Sequence, residues 1–225
     1  MADIRFADKT VMVLGAAGAL GAGLATAFAQ EGADVVGVDR SEPAGDRRLE
    51  GARYHAVDVL DDHALGALFD SGPAPWAVVS TVGGFAGYTP LAELDPAVLT
   101  GQLELNLLTA ALVTKHALRT MAPAGRGRLV LTASRAAVVT RGQGFAYSVS
   151  KLGVLHLVAM AADEVRDSGI TVNCVVPSII DTPANRSAIP DADHASWPKI
   201  PDIARAYLFL ASPEAHLVSG ASIPV

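Results

Sequence analysis

The chain has 225 residues, enough for one domain or a tight pair. Hydrophobic residues make up 51% and charged residues 18%, which excludes general disorder, and a net charge of −6 argues against a nucleic-acid surface. The lone cysteine, Cys174, excludes a disulfide framework and a cysteine zinc site and fits a reducing compartment, so a cytoplasmic location and no metal are expected.

Short apolar runs alternate with longer helical stretches along the chain. Thr10 to Leu14, Asp34 to Asp39, Arg53 to Val59, Trp76 to Ser80, Arg128 to Thr132 and Ile170 to Val176 read as strands. Continuous apolar runs of this length suit strands covered on both faces of a parallel sheet. Leu20 to Gln30, Pro96 to Met121 and Ala146 to Asp167 read as helices. Asp95 before Pro96 is a good cap with proline in the first turn, and Ser168-Gly169 is a normal stop. Repeated alternation of this kind predicts a doubly wound parallel α/β sheet in one domain over 1–225.

The apolar run from Val11 to Ala29 is long enough to span a membrane but is mostly Gly and Ala. The start MADIRFADKT mixes charges, unlike a signal peptide, and no other stretch reads as a span, so no membrane segment is expected. The stretch 183–201 is the one long irregular segment. It reads equally as a lid over a ligand or as a plain surface connection.

The first strand runs into Gly15-Ala16-Ala17-Gly18-Ala19-Leu20-Gly21 and then a helix. Strand, glycine turn and helix start form the context in which backbone N–H groups cradle a pyrophosphate. The candidates there are Gly15, Ala17, Gly18, Leu20 and Gly21. Asp39 closes the second strand and is placed to hold the ribose hydroxyls of an adenosine. Its charge repels a 2′-phosphate, which favours NAD(H). Arg40 beside it partly offsets that charge and leaves NADP(H) possible.

Tyr147 and Lys151 stand four residues apart at the start of a helix, on one face. An ammonium beside a phenol favours the phenolate and is expected to lower its pKa toward a workable acid–base range. Ser134 follows a buried strand, on the ligand side of such a sheet. Asn106 is an amide inside the apolar helix LELNLLTAALV, where asparagine is disfavoured unless its side chain has work to do. Val82, Gly83 and Gly84 follow another strand and allow close approach of backbone to a ligand.

With these motifs in this order, the chain resembles the short-chain dehydrogenase/reductase family over nearly its whole length. The resemblance implies a Rossmann fold and hydride transfer between nicotinamide and a small carbonyl or alcohol substrate. It implies Tyr147 as proton donor and acceptor, and Ser134 as the group orienting the same oxygen. Lys151 holds the nicotinamide ribose, and Asn106 holds a water that links Lys151 to solvent. It adds Asp58 and Val59, Pro177, Ile180 and Thr182 to the cofactor contacts. Leu14, Ala19, Thr81 and Ser178 depart from the family pattern. The segments 83–87 and 181–197 are similar to those of dihydropteridine reductases, which implies a pterin substrate as an alternative. A non-catalytic dinucleotide sensor on the same fold is the alternative of another class. Helices 96–121 and 146–167 are apolar around much of their surface, and the resemblance implies a homodimer or homotetramer through them.

Overall fold

The computed structural model describes residues 4–139 and 144–225. Seven parallel strands form one sheet in the order β3-β2-β1-β4-β5-β6-β7. They are β1 (Thr10–Leu14), β2 (Asp34–Asp39), β3 (Arg53–Ala56), β4 (Ala77–Ser80), β5 (Gly127–Thr132), β6 (Ile170–Val176) and β7 (Ser222–Pro224). The helices are α1 (Ala19–Gln30), α2 (Asp62–Asp70), α3 (Pro96–Gln102), α4 (Thr109–Met121), α5 (Phe145–Glu164), α6 (Pro183–Ala188) and α7 (Ile200–Ala211). Strand order reverses between β1 and β4, where Val13 pairs with Val79. In an open sheet of this kind the crevice at that point, at the carboxyl ends of the strands, is where a ligand binds.

The two faces of the sheet have separate cores. On one, Leu14, Val78 and Leu129 meet Val113, Ala117, Val154 and Val158 of α4 and α5. On the other, Val11, Val79 and Val175 meet Leu24 and Phe28 of α1 and Ile203 and Tyr207 of α7. Alternate residues of one strand therefore serve opposite faces, which is why the strand sequences are apolar throughout.

Several expected boundaries shift. The third strand ends at Ala56 rather than Val59: the Val57 N–H makes the last bond of the β2–β3 ladder, to the Asp39 carbonyl at 2.7 Å, and the chain then turns at Asp58–Asp61 into α2. The long helix from Pro96 is interrupted by a π-helical turn, Leu103–Leu108. The 183–201 stretch is more ordered than an irregular loop: Thr182 caps α6 through the Asn185 N–H, and α7 begins at Ile200. The run from Val11 to Ala29 divides into β1, the glycine turn and α1. Contrary to the expectation for the rest of the chain, the helices Pro96–Ala124 and Phe145–Glu164 are long and apolar enough by length and composition to cross a membrane. Here they lie along the sheet and fill its core.

Candidate active site

The glycine turn is shaped by contacts that only glycine allows. Gly15 has φ +84, and a Cβ there would meet the Thr81 hydroxyl at 2.4 Å. A Cβ on Gly21 would lie 2.1 Å from the Gly15 carbonyl oxygen. The Gly15 N–H donates to the Val38 carbonyl at 2.8 Å, so the turn is sewn to β2. Gly18 is the N-cap of α1 and supplies no side-chain acceptor. No side chain caps the first N–H groups of the helix, which leaves them without a side-chain partner, as an anion cradle requires. Leu20 packs on the α1/α7 core and anchors this first turn.

Asp39 is tied to the same turn. Its carboxylate accepts from the Ala17 N–H at 2.9 Å and from the Arg40 N–H at 2.8 Å. Arg47, which sequence reasoning missed, donates to the Ala17 carbonyl at 3.0 Å from a loop thirty residues on. Nothing local in the sequence marks that reach. Asp58 is exposed and accepts the Leu60 N–H at 3.0 Å, while Val59 is buried in the core. The two follow the end of β3 and thus stand beside the end of β2.

The second half of the site forms where β4, β5 and α5 converge. The Asn106 amide oxygen accepts the Gly84 N–H at 3.0 Å, and its NH₂ donates to the Gly84 carbonyl at 3.0 Å and to the Ser150 hydroxyl at 3.1 Å. The expected role of Asn106 as holder of a water thus meets an amide engaged at both ends by protein groups. Gly83 lies between this amide and Lys151, so a Cβ there would sit 2.6 Å from the Asn106 oxygen and 2.7 Å from the Lys151 ammonium. Val82 packs against the core beside it.

Lys151 is buried, and its ammonium donates to the Thr132 carbonyl at 3.0 Å. Burial brings its pKa down to about 8. The Thr132 hydroxyl in turn lies 2.6 Å from the Ser80 carbonyl and 2.6 Å from the Tyr207 hydroxyl of α7. Beyond Val79 and Val130 the β4–β5 ladder ends, so this hydroxyl joins the strand ends where the backbone no longer does. Tyr207 and Thr132 were not singled out from sequence, because their partners are far away along the chain.

The Tyr147 phenol lies against the Ser134 hydroxyl. Burial pushes its pKa above the ordinary tyrosine value, the Ser134 hydrogen bond pulls it down, and Tyr88 adds to the rise. The expected lowering by Lys151 is corrected here: the ammonium is directed to the end of β5 rather than to the phenol. Ser134 accepts the Ala136 N–H at 3.2 Å, which leaves its own proton free to donate. Pro177 accepts the Arg135 N–H at 2.9 Å and so joins the end of β6 to the Ser134 loop. Ile180 accepts from the Asn185 side chain at 2.8 Å and Thr182 caps α6, so the segment after β6 is a folded unit. Among the described residues, no three His, Cys, Asp or Glu side chains group closely enough for a metal ion. Asp193 caps a short turn, and His194 packs on Trp197.

A parallel sheet with a glycine turn at its switch point, and hydroxyls converging at the strand ends, defines a dinucleotide-binding α/β enzyme. A family model described as enoyl-(acyl carrier protein) reductase matches residues 15–225. The chain is 35% identical over 238 residues to cis-4-hydroxycyclohexanecarboxylate dehydrogenase of Sinomonas cyclohexanicum, covering 98% of this chain and 96% of that one. It is 30% identical over 254 residues to D-threitol dehydrogenase of Mycolicibacterium smegmatis, covering 99% and 93%. A short-chain type dehydrogenase/reductase from Mycobacterium ulcerans superposes with a TM-score of 0.89 at 28% identity, covering 98% and 89%. The chain belongs to the short-chain dehydrogenase/reductase family, whose members are oxidoreductases that bind nicotinamide cofactors.

Proposed function

We propose that this chain interconverts a small secondary alcohol and its ketone, with Tyr147 as acid and base and NAD(H) as the preferred cofactor. The convergence of Ser134 after β5 with Tyr147 and the buried Lys151 of α5, whose ammonium is held at the end of β5, carries this reading. The names of the relatives, which are dehydrogenases of hydroxylated small molecules, support it. The uncapped N–H groups of α1 and the open backbone at Gly83 suit a dinucleotide lying across the strand ends. When bound, the nicotinamide supplies or accepts the hydride.

The chain's own residues do the rest. Tyr147 gives its proton to the carbonyl oxygen in reduction and takes it from the alcohol in oxidation. Ser134 donates to the same oxygen and fixes its position. Lys151 has three N–H donors, of which one goes to Thr132, leaving the others for the ribose hydroxyls. Asn106 acts by holding Gly84, and through it the strand end against which the cofactor lies. Asp39, anchored by Ala17, faces the adenosine ribose. Leu108, Leu152 and Met160 leave exposed apolar surface on the two long helices, which supports pairing of copies through them.

The test is Tyr147→Phe. Turnover of alcohols or ketones should fall by at least about 100-fold, the usual scale of a lost general acid–base. NADH binding, followed by fluorescence, should remain. Full activity in that variant removes Tyr147 from the role. Ser134 favours an alcohol or ketone over a pterin, since quinonoid ring reduction has less need of a second hydroxyl. An assay with a quinonoid dihydropterin checks this directly.

A further inference from the structure

The rings beside Tyr147 form a pattern that proton transfer does not use. Phe85 meets Tyr147 edge to face, with ring centres 5.2 Å apart and planes at 82°. Tyr88 meets Phe85 at 4.9 Å and 62°. Both rings stay open: Phe85 is 49% exposed and Tyr88 60%.

Their backbone is nevertheless pinned. Gly84, one residue before Phe85, has its N–H and its carbonyl both held by Asn106. A Cβ on Gly84 would come within 2.7 Å of the Leu105 side chain, so the loop root lies directly on the helix. The Tyr88 ring lies against Gly144 at the start of α5, where a Cβ would meet it at 3.2 Å. From Gly83 to Tyr88 the chain carries no charged residue. Edge-to-face packing of this kind is attractive beyond the burial of the rings and holds Phe85 beside the phenol. The result is an uncharged, partly exposed aromatic wall next to the acid–base group, on the segment that follows the carboxyl end of β4.

We infer that Phe85 is a specificity-determining residue and that, with Tyr88, it seats the ring of an uncharged cyclic secondary alcohol or cyclic ketone. This rests on the reading of the chain as an alcohol/ketone oxidoreductase. A ring already rigid loses little rotational freedom on docking and covers such a wall with one face. An open chain of equal carbon number must order several bonds to cover the same area.

The experiment uses the full chain with NAD⁺ and with NADP⁺, on two matched pairs: cyclohexanol with 2-hexanol, and cyclooctanol with 2-octanol. The wild type should favour the cyclic member by about tenfold or more in kcat/KM, a difference of about 1.4 kcal/mol. Phe85→Leu should remove that preference by losing activity on the rings, with the open-chain alcohols unchanged within about twofold. Phe85→Tyr, which keeps the ring, should restore it. Tyr88→Leu, at an exposed position, should shift the preference the same way by a smaller factor. Equal use of both members by the wild type, or equal losses on both in Phe85→Leu, overturns the aromatic seat and leaves the oxidoreductase reading standing. Oxidation of none of the four alcohols with either cofactor overturns the alcohol/ketone reading, and the seat with it.

Discussion

Asn106 and Gly84 are joined by a reciprocal pair of hydrogen bonds, each 3.0 Å long, in which one side-chain amide takes both polar groups of one backbone residue. The arrangement copies a rung of β-sheet where β4 has already ended at Ser80. It explains why an amide sits in an otherwise apolar helix. Asn106→Ala would leave the Gly84 groups without partners and should lower stability by about 2–3 kcal/mol. Thermal melting would show this as a clear fall, and kcat should fall with it because the Gly83–Phe85 backbone loses its anchor.

Gly83→Ala tests the approach of Asn106 to Lys151. The added carbon would stand within 2.7 Å of the ammonium, which sits at the end of a flexible side chain and can swing away. Displacing it by about 1 Å should lower kcat by roughly 10²-fold. Steady-state kinetics together with a melting curve separate the two contacts: displacing the Lys151 ammonium lowers kcat, and crowding the Asn106 oxygen, 2.6 Å from the added carbon, lowers the melting temperature as well.

Lys151 bears on stability as well as chemistry. Its pKa is about 8 in the folded chain, against 10.5 ordinarily. Between those values the unfolded chain holds more protons, so stability rises with pH across that window and the full cost of burying the charge is present below pH 8. A shift of that size corresponds to roughly 3 kcal/mol at neutral pH. Lys151→Met should therefore abolish turnover yet raise stability by about 2 kcal/mol at pH 7, after allowing about 1 kcal/mol for the lost bond to Thr132. Denaturation at pH 7 and at pH 10 measures it, and the gain should shrink at the higher pH.

Asp39→Ser tests cofactor choice. Removing the carboxylate leaves Arg40 and Arg47 beside the turn without its opposing charge. The ratio of kcat/KM for NADPH to that for NADH should rise by about tenfold or more, equivalent to about 1.4 kcal/mol. An unchanged ratio would mean that Asp39 does not face the ribose.

Much of this site can be read in the sequence because its signals are local. β1, β2 and β6 run over the expected residues, since β-branched runs are unambiguous when both faces are covered. The glycine turn and the Tyr147–Lys151 spacing are likewise short-range patterns. The side-chain contacts that were misread or missed are long-range. The Lys151 ammonium goes to Thr132 instead of acting on Tyr147, because β5 offers it a bare carbonyl. Arg47 reaches Ala17, and Tyr207 reaches Thr132, across separations no periodicity encodes. The 183–201 stretch looks irregular because its prolines read as breakers, whereas Pro183 and Pro201 occupy the first turns of α6 and α7.

The π-helical turn at Leu103–Leu108 makes the helix from Pro96 a phase-shifted rod. A π-turn holds one residue more than the α-helix it interrupts, and one residue is about 100° of rotation. The two halves of the rod therefore present faces that a single uninterrupted helix would point in different directions. Downstream, Val113, Ala117 and Met121 are locked to the sheet. Gln102, at the end of α3, and Asn106, inside the turn, both point inward, and the Asn106 amide donates to the Gln102 side-chain oxygen at 3.4 Å. Deleting one residue from Leu103–Leu108 would regularise the helix and turn everything before it by about 100°. The sheet contacts would survive, and the chain could gain a helical hydrogen bond while losing its site. The active geometry here is thus written partly as an insertion, a form of information that no single side chain carries.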